Sequence, residues 1–196
     1  MKMKKLLYVG AMMVAAMGAT SVSAQDMSNN QTKDNMKMEG KKNPDSKFMM
    51  MLATGGMNEI GLSQTALSKS TNEEIKQYAQ KMIDDHTMAG DELKTLASSK
   101  MVTLPMTMDA KHMAMNEKLS AMTGMEFDMM YIKAMVKDHE KTVAMLQKES
   151  NGGKDPEAKA FAAKLLPTVQ GHLDMAKTMM TAMMSNKSAD MKKSSM

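Results

Sequence analysis

Apolar residues recur every three to four positions along four stretches of the chain, the repeat of helices that bury one face. The stretches are 45–69, 72–99, 124–150 and 156–184. Phe48, Leu52, Gly55, Leu62 and Ala66 mark the inner stripe of the first, and Ile75, Ala79, Met82, Ala89, Leu93 and Leu96 that of the second. Ile132, Met135, Val143 and Leu146 mark the third, and Phe161, Leu165, Val169, Ala176, Met179 and Met183 the fourth. Boundary signals agree with the periodicity. Thr71 with Glu74 and Thr123 with Glu126 each read as a capping box opening a helix. Asn151-Gly152-Gly153 ends the third stretch, and Asp155-Pro156 opens the fourth as cap and first helical residue. Pro167 is expected to kink the last helix. Short links within the first and second pairs make each pair an antiparallel hairpin. The longer connection, 100–123, should hold a short helix near 109–121. The pattern predicts an all-α, antiparallel four-helix bundle with a short extra helix between its second and third members.

The two hairpins also resemble each other. Glu74–Met82 aligns with Glu157–Leu165, and Phe48–Met51 with Phe127–Met130, which sets Glu59 against Asp138. This is the pattern of a duplicated hairpin.

Each apolar stripe is interrupted once, by Glu59, His86, His139 and His172. Each lies 14 to 16 residues after the start of its segment, near mid-helix. Midpoints of packed helices share a level, so the four should meet in one layer. A buried carboxylate and three imidazoles need partners. Either a hydrogen-bonded polar layer or a transition metal (copper, zinc or iron) held by these residues would supply them. Asp85 and Asp138 each precede a histidine and are candidates to orient the rings from behind.

Outside that core the chain divides by composition. Lys2, Lys4 and Lys5 precede the apolar run 6–19, and Val22-Ser23-Ala24 offers small residues for cleavage, so 1–24 reads as a signal peptide cut after Ala24. Residues 25–43 read as a flexible leader, 44–184 as the bundle and 185–196 as a disordered tail. The expected location is periplasmic or secreted. No segment after the signal is long and apolar enough to span a membrane as a helix. The formal charge of +4 falls to +1 once the three signal lysines are removed.

Composition narrows the function. The chain has no Cys, which removes disulfides, thiolate metal sites and a Cys nucleophile. It has no Arg among its 26 basic residues, and aromatics are only 3%, so neither phosphate clamps nor base-stacking platforms fit, and nucleic acid is not an expected partner. No nucleophile elbow or phosphate-binding Gly loop occurs. Methionine is the outlier at 32 residues. Met106, Met108, Met113 and Met115 flank His112 within ten residues, a set of soft donors suited to Cu(I) or Ag(I) at the surface. A general excess of Met and a sacrificial role against oxidants are the other readings of this enrichment.

Asp45-Ser-Lys-Phe48, Gly55-Gly56-Met-Asn-Glu59, Ala79-Gln-Lys-Met-Ile-Asp-Asp-His86, Val102-Thr-Leu-Pro105, Phe127-Asp-Met-Met-Tyr131, Asp138-His139-Glu140 and Lys154-Asp-Pro-Glu157 together resemble the domain of unknown function 4142 family. The resemblance covers about 45–180 and implies a ferritin-like bundle that is exported and often labelled an outer-membrane protein, with no established reaction. The di-iron pattern of ferritins is missing, because no Glu-x-x-His occurs: the residues three before each histidine are Ile83, Asp109, Val136 and Val169. The expectation is therefore an exported, Met-rich, ferritin-like protein that binds a soft metal such as copper or protects against stress, and is not an enzyme. A metal-free structural or interaction bundle is the alternative, and an atypical redox centre the third reading.

Overall fold

The computed structural model describes residues 43–194, and every regular element among them is a helix. The segment expected to be a signal peptide and nearly all of the expected leader lie outside the described residues. The helices are α1 (Ser46–Lys69), α2 (Glu73–Ser99), α3 (Ala110–Ser120), α4 (Gly124–Gly152) and α5 (Pro156–Ser194). The four long ones are the four periodic stretches, and α3 is the short helix expected between them.

The ends show what caps them. Asn72, not Thr71, caps α2, its side chain accepting from the Glu74 and Ile75 amides. A capping box needs its Ser or Thr next to the first helical residue, and the helix begins one residue too late for Thr71. Thr123 stands at the N-cap of α4 without making a side-chain cap bond. Asp155 caps α5 as expected, accepting from the Glu157 and Ala158 amides. The tail expected from 185 is corrected: α5 continues to Ser194, through Pro167 and past Met184. No Gly or Pro occurs in 185–194, and Ser185 and Ser188 donate back to the carbonyls of Thr181 and Met184.

Contacts fix the topology. Asp45 at the start of α1 accepts from the backbone of Lys154 and Asp155 at the end of α4. Farther along α1, Ser63 shares a 2.8 Å hydrogen bond with Tyr131 near the start of α4. These helices therefore run antiparallel. So do α2 and α5, joined by Lys164–Glu92 at 2.7 Å and Lys100–Asp155 at 3.0 Å at one end and by Tyr78 with His172 farther along. The order is up, down, down, up. The connection between α2 and α4 must climb the length of the bundle, and α3 is part of that climb.

It climbs along α1. Asn58 and Asp109 bond reciprocally: the amide of Asn58 donates to the Asp109 carboxylate, and the Asp109 backbone N–H donates to Asn58 Oδ1. Thr65 donates to Asn116 at 2.6 Å. Met108 lies directly over Gly61, where any Cβ would collide with its sulfur. That close approach accounts for a glycine in mid-helix, where it costs about 1 kcal/mol relative to Ala.

The core follows the predicted stripes and adds to them. Met49, Tyr78, Leu119, Phe127, Tyr131, Ala158, Ala162 and Leu173 are also buried. Phe161 is only half-buried, because Ala158 and Ala162 carry the inner face of α5 at that level.

Candidate metal centre

Glu59, His86, His139 and His172 meet in the middle of the bundle. They are 1%, 8%, 0% and 1% exposed. The imidazole centroids lie 5.3 to 5.6 Å apart, with the planes tilted 61° to 73° to one another. One ring nitrogen from each histidine lies within 4.8 Å of the other two. Their neighbours decide which nitrogen of each ring carries the proton.

His139 Nδ1 faces the Met135 carbonyl one turn back at 2.9 Å. A carbonyl only accepts, so Nδ1 carries the proton and Nε2 presents its lone pair. His172 Nε2 faces Asp85 Oδ2 at 2.7 Å. Burial raises the Asp85 pKa, but hydrogen bonds from Lys81 and His172 outweigh it and hold the carboxyl below its ordinary value. Asp85 is thus an acceptor, His172 Nε2 the donor, and His172 Nδ1 the free lone pair. His139 Nε2, His172 Nδ1 and His86 Nε2 are all buried without a hydrogen-bond partner. Burial lowers the pKa of all three histidines, which keeps them neutral, the form in which imidazole binds a metal.

Glu59 closes the fourth side. Its Oε2 lies 3.1 Å from His86 Nε2 and its Oε1 3.3 Å from His139 Nδ1. The approaches are close but poorly aligned: Glu59 Oε1 and His86 Nε2 both remain without a hydrogen-bond partner. Burial raises the Glu59 pKa, offset in part by His86. An unpaired buried polar group costs about 1–3 kcal/mol. Four such atoms in one layer, with a ring nitrogen of each of the three histidines within 4.8 Å of the others, are the mark of a place built for something that binds there. Three neutral nitrogens and one carboxylate oxygen form a donor set that suits zinc, copper, nickel or iron.

The supporting shell differs from expectation at one position. Asp85 does orient a ring, but it reaches across to His172 on α5 and not to its neighbour His86. Asp138 is corrected: it turns away from the layer and accepts from His112 Nε2 at 3.0 Å and Lys141 at 2.6 Å. On a helix adjacent residues diverge by about 100°, so Asp138 and His139 cannot face the same centre. Two supports were not foreseen. Tyr78 donates to the His172 carbonyl at 3.3 Å, and the Met135 carbonyl holds His139. Tyr78 lay on the apolar side of its segment, a signal available in the periodicity. The carbonyl role belongs to backbone geometry and has no sequence signal.

The methionine cluster does not form one patch. His112 is corrected from surface ligand to buried clasp, since both of its ring nitrogens face carboxylates, Asp109 at 2.8 Å and Asp138 at 3.0 Å. Met106 and Met113 are exposed, while Met108 and Met115 are half-buried against the core. Helical residues at 110–120 send alternate side chains to different faces.

The family model described as Domain of unknown function (DUF4142) matches residues 19–179. No curated protein matches the sequence. Several solved structures share the fold. A DUF305 fragment from Deinococcus radiodurans is 13% identical with a TM-score of 0.63, covering 70% of this chain and 95% of that one. A DUF305 protein from Streptomyces coelicolor, described as secreted, is 12% identical with a TM-score of 0.63, covering 72% and 93%. CopM in its Cu(II)-bound form is 22% identical with a TM-score of 0.60, covering 70% and 96%. At these identities the likeness speaks for the fold.

Proposed function

The chain belongs to the DUF4142 family, which carries no assigned reaction, and we propose from the site itself that it is an exported copper-binding protein. His86, His139 and His172 would be the ligands and Glu59 the charge-balancing fourth group. The observation that carries this reading is a group of three buried imidazoles, one ring nitrogen of each within 4.8 Å of the others, in which each ring also has a nitrogen without a hydrogen-bond partner. A metal-free polar layer would give each inner nitrogen a hydrogen bond, and His139 Nε2 and His172 Nδ1 have none.

Charge favours the monovalent ion. A buried cation needs compensation, and Glu59 is the one acid in the layer. Cu(I) with three neutral imidazoles and an ionised Glu59 sums to zero. A divalent ion leaves one positive charge for Asp85 to balance through His172. Because burial keeps the unloaded Glu59 carboxyl protonated to a higher pH than usual, loading releases a proton. The fold's likeness to CopM, which has been crystallised with Cu(II), Ag and Cu(I), supports the choice of copper over zinc. Among the described residues no helix is long and apolar enough to cross a membrane. That agrees with the secreted or periplasmic location proposed from the signal-like 1–24. Sequestering copper in that compartment would make the protein protective without being an enzyme.

The test is anaerobic loading with Cu(I), followed by metal analysis and X-ray absorption. One copper per chain with a nitrogen-dominated first shell is expected, and His86→Ala with His139→Ala should abolish it. A sulfur-dominated shell surviving in that variant would overturn the histidine assignment and return the ion to the methionines. Preferential retention of zinc in competition would overturn copper.

A further inference from the structure

The histidine layer is buried, so an ion has to cross protein to reach it. Glu59 and His86 form the inner wall of a cavity of about 130 Å³ between α1 and α2, and the climbing connection contributes Leu104, Pro105 and Met106 to its lining. The neighbouring cavity beside Asp85 and the one beside His112 are lined by none of the four layer residues.

Two features of this cavity lack another explanation. Gly56 of α1 and Gly90 of α2 both line it, and a Cβ added at either would meet nothing within 4 Å. Neither glycine makes room for a packed neighbour, as Gly61 does for the Met108 side chain, although glycine weakens a helix. What their small size preserves is open space. The second feature is a run of soft donors at decreasing exposure. Met106 is 75% exposed, Met57 half-buried and His86 8% exposed, and all three line the cavity. Outside the layer itself, where Glu59 stands, the charged residues on the lining are Asp91 and Lys94, which pair with each other at 2.8 Å and so offer no net charge to a hydrated divalent ion.

We propose that the cavity between α1 and α2 is the entry route to the histidine layer for a soft monovalent cation, Cu(I) or Ag(I), with the thioethers of Met106 and then Met57 taking the ion before His86. Thioethers are neutral and bind soft cations. They can replace the hydration shell of a monovalent ion along an apolar wall where no water-rich carboxylate path exists. The transfer is ligand exchange only, sulfur for water and then nitrogen for sulfur, with no change in oxidation state. The inference rests on the metal-binding reading above.

Rate and endpoint separate the two. Stopped-flow transfer of Cu(I) from a chromogenic chelator is measured for the wild type, for Met57→Leu with Met106→Leu, and for Gly90→Leu. The methionine pair removes the donors at nearly constant volume, and the glycine change plugs the space while favouring the helix. Both variants should load about tenfold more slowly or worse and reach the same one-copper, nitrogen-bound endpoint. Unchanged rates in both variants, with the wild-type endpoint intact, would overturn the route alone. Failure of the wild type to take up copper at the histidines would overturn the binding reading and the route with it. Should Gly90→Leu lose its fold, the methionine pair decides.

Discussion

Asp85 does the work of aiming His172. Its carboxylate receives Lys81 at 2.8 Å on one side and the imidazole at 2.7 Å on the other. With Nε2–H committed to that oxygen, Nδ1 is the nitrogen left for an ion. Partners of this kind are typically worth 10- to 100-fold in metal affinity. Asp85→Asn keeps an acceptor oxygen but removes the charge. Competitive Cu(I) titration should show affinity reduced about tenfold or more, with the melting temperature near that of the wild type. Equal affinity would reduce Asp85 to a packing residue. The single polar residue in each apolar stripe was visible in the sequence, as was its mid-helix height. The pairing of Asp85 with a histidine on another helix was not, because residue spacing describes one helix and the contact joins two.

Polar contacts tie the connection between α2 and α4 to its neighbours, beside the apolar packing of residues such as Leu119. His112 is buried between Asp109 and Asp138 and so ties α3 to α4, while Asn58 ties the start of α3 to α1. Asp109 has its pKa held at about 2: burial raises it, but hydrogen bonds from His112 and Asn58 prevail. His112→Ala leaves Asp138 without its imidazole partner, and such losses cost about 1–3 kcal/mol. Urea denaturation should show a destabilisation in that range, and limited proteolysis should cut faster within 100–123. Copper stoichiometry should not change, which separates this clasp from the metal layer. The existence of a short helix here was readable from its period. Its path was not: a 24-residue connection can lie over either end of a bundle or along its side, and specific contacts such as Met108 on Gly61 select the side.

At the scale of the bundle, the described residues form two antiparallel hairpins set against each other, which leaves every pair of neighbouring long helices antiparallel. The internal resemblance between hairpins does not extend to the site. Glu59 is in the layer while its counterpart Asp138 serves α3, and His86 has Val169, not His172, at the equivalent offset. Three imidazoles kept neutral by burial make the metal-free protein sensitive to acid. Their pKa values lie below the ordinary 6.5, so the unfolded chain binds more protons just below that pH. Stability contributed by the neutral histidines is complete above 6.5 and is lost as pH falls through the folded values, at up to about 1.4 kcal/mol per proton per pH unit. Glu59 acts with the opposite sign, since its raised pKa removes stability as pH climbs above 4.5. Urea midpoints for the metal-free protein should fall between pH 6.5 and 5. Copper loading should move the fall to lower pH, because protons must then displace the ion. A midpoint flat over that window would show that the histidines do not titrate on unfolding.

Hydrophobic period and helix-ending residues were enough to specify four long helices, a short fifth and a level at which an acid and three histidines coincide. These are properties of single helices, set by a repeat of 3.6 residues and by local backbone bonding, and each helix carries them wherever it packs. Which ring nitrogen faces inward, which aspartate stands behind it, how the long connection climbs and where a cavity is left open depend on side chains from different helices meeting at fixed distances. No spacing along one chain segment encodes those meetings, and they came into existence when the helices packed.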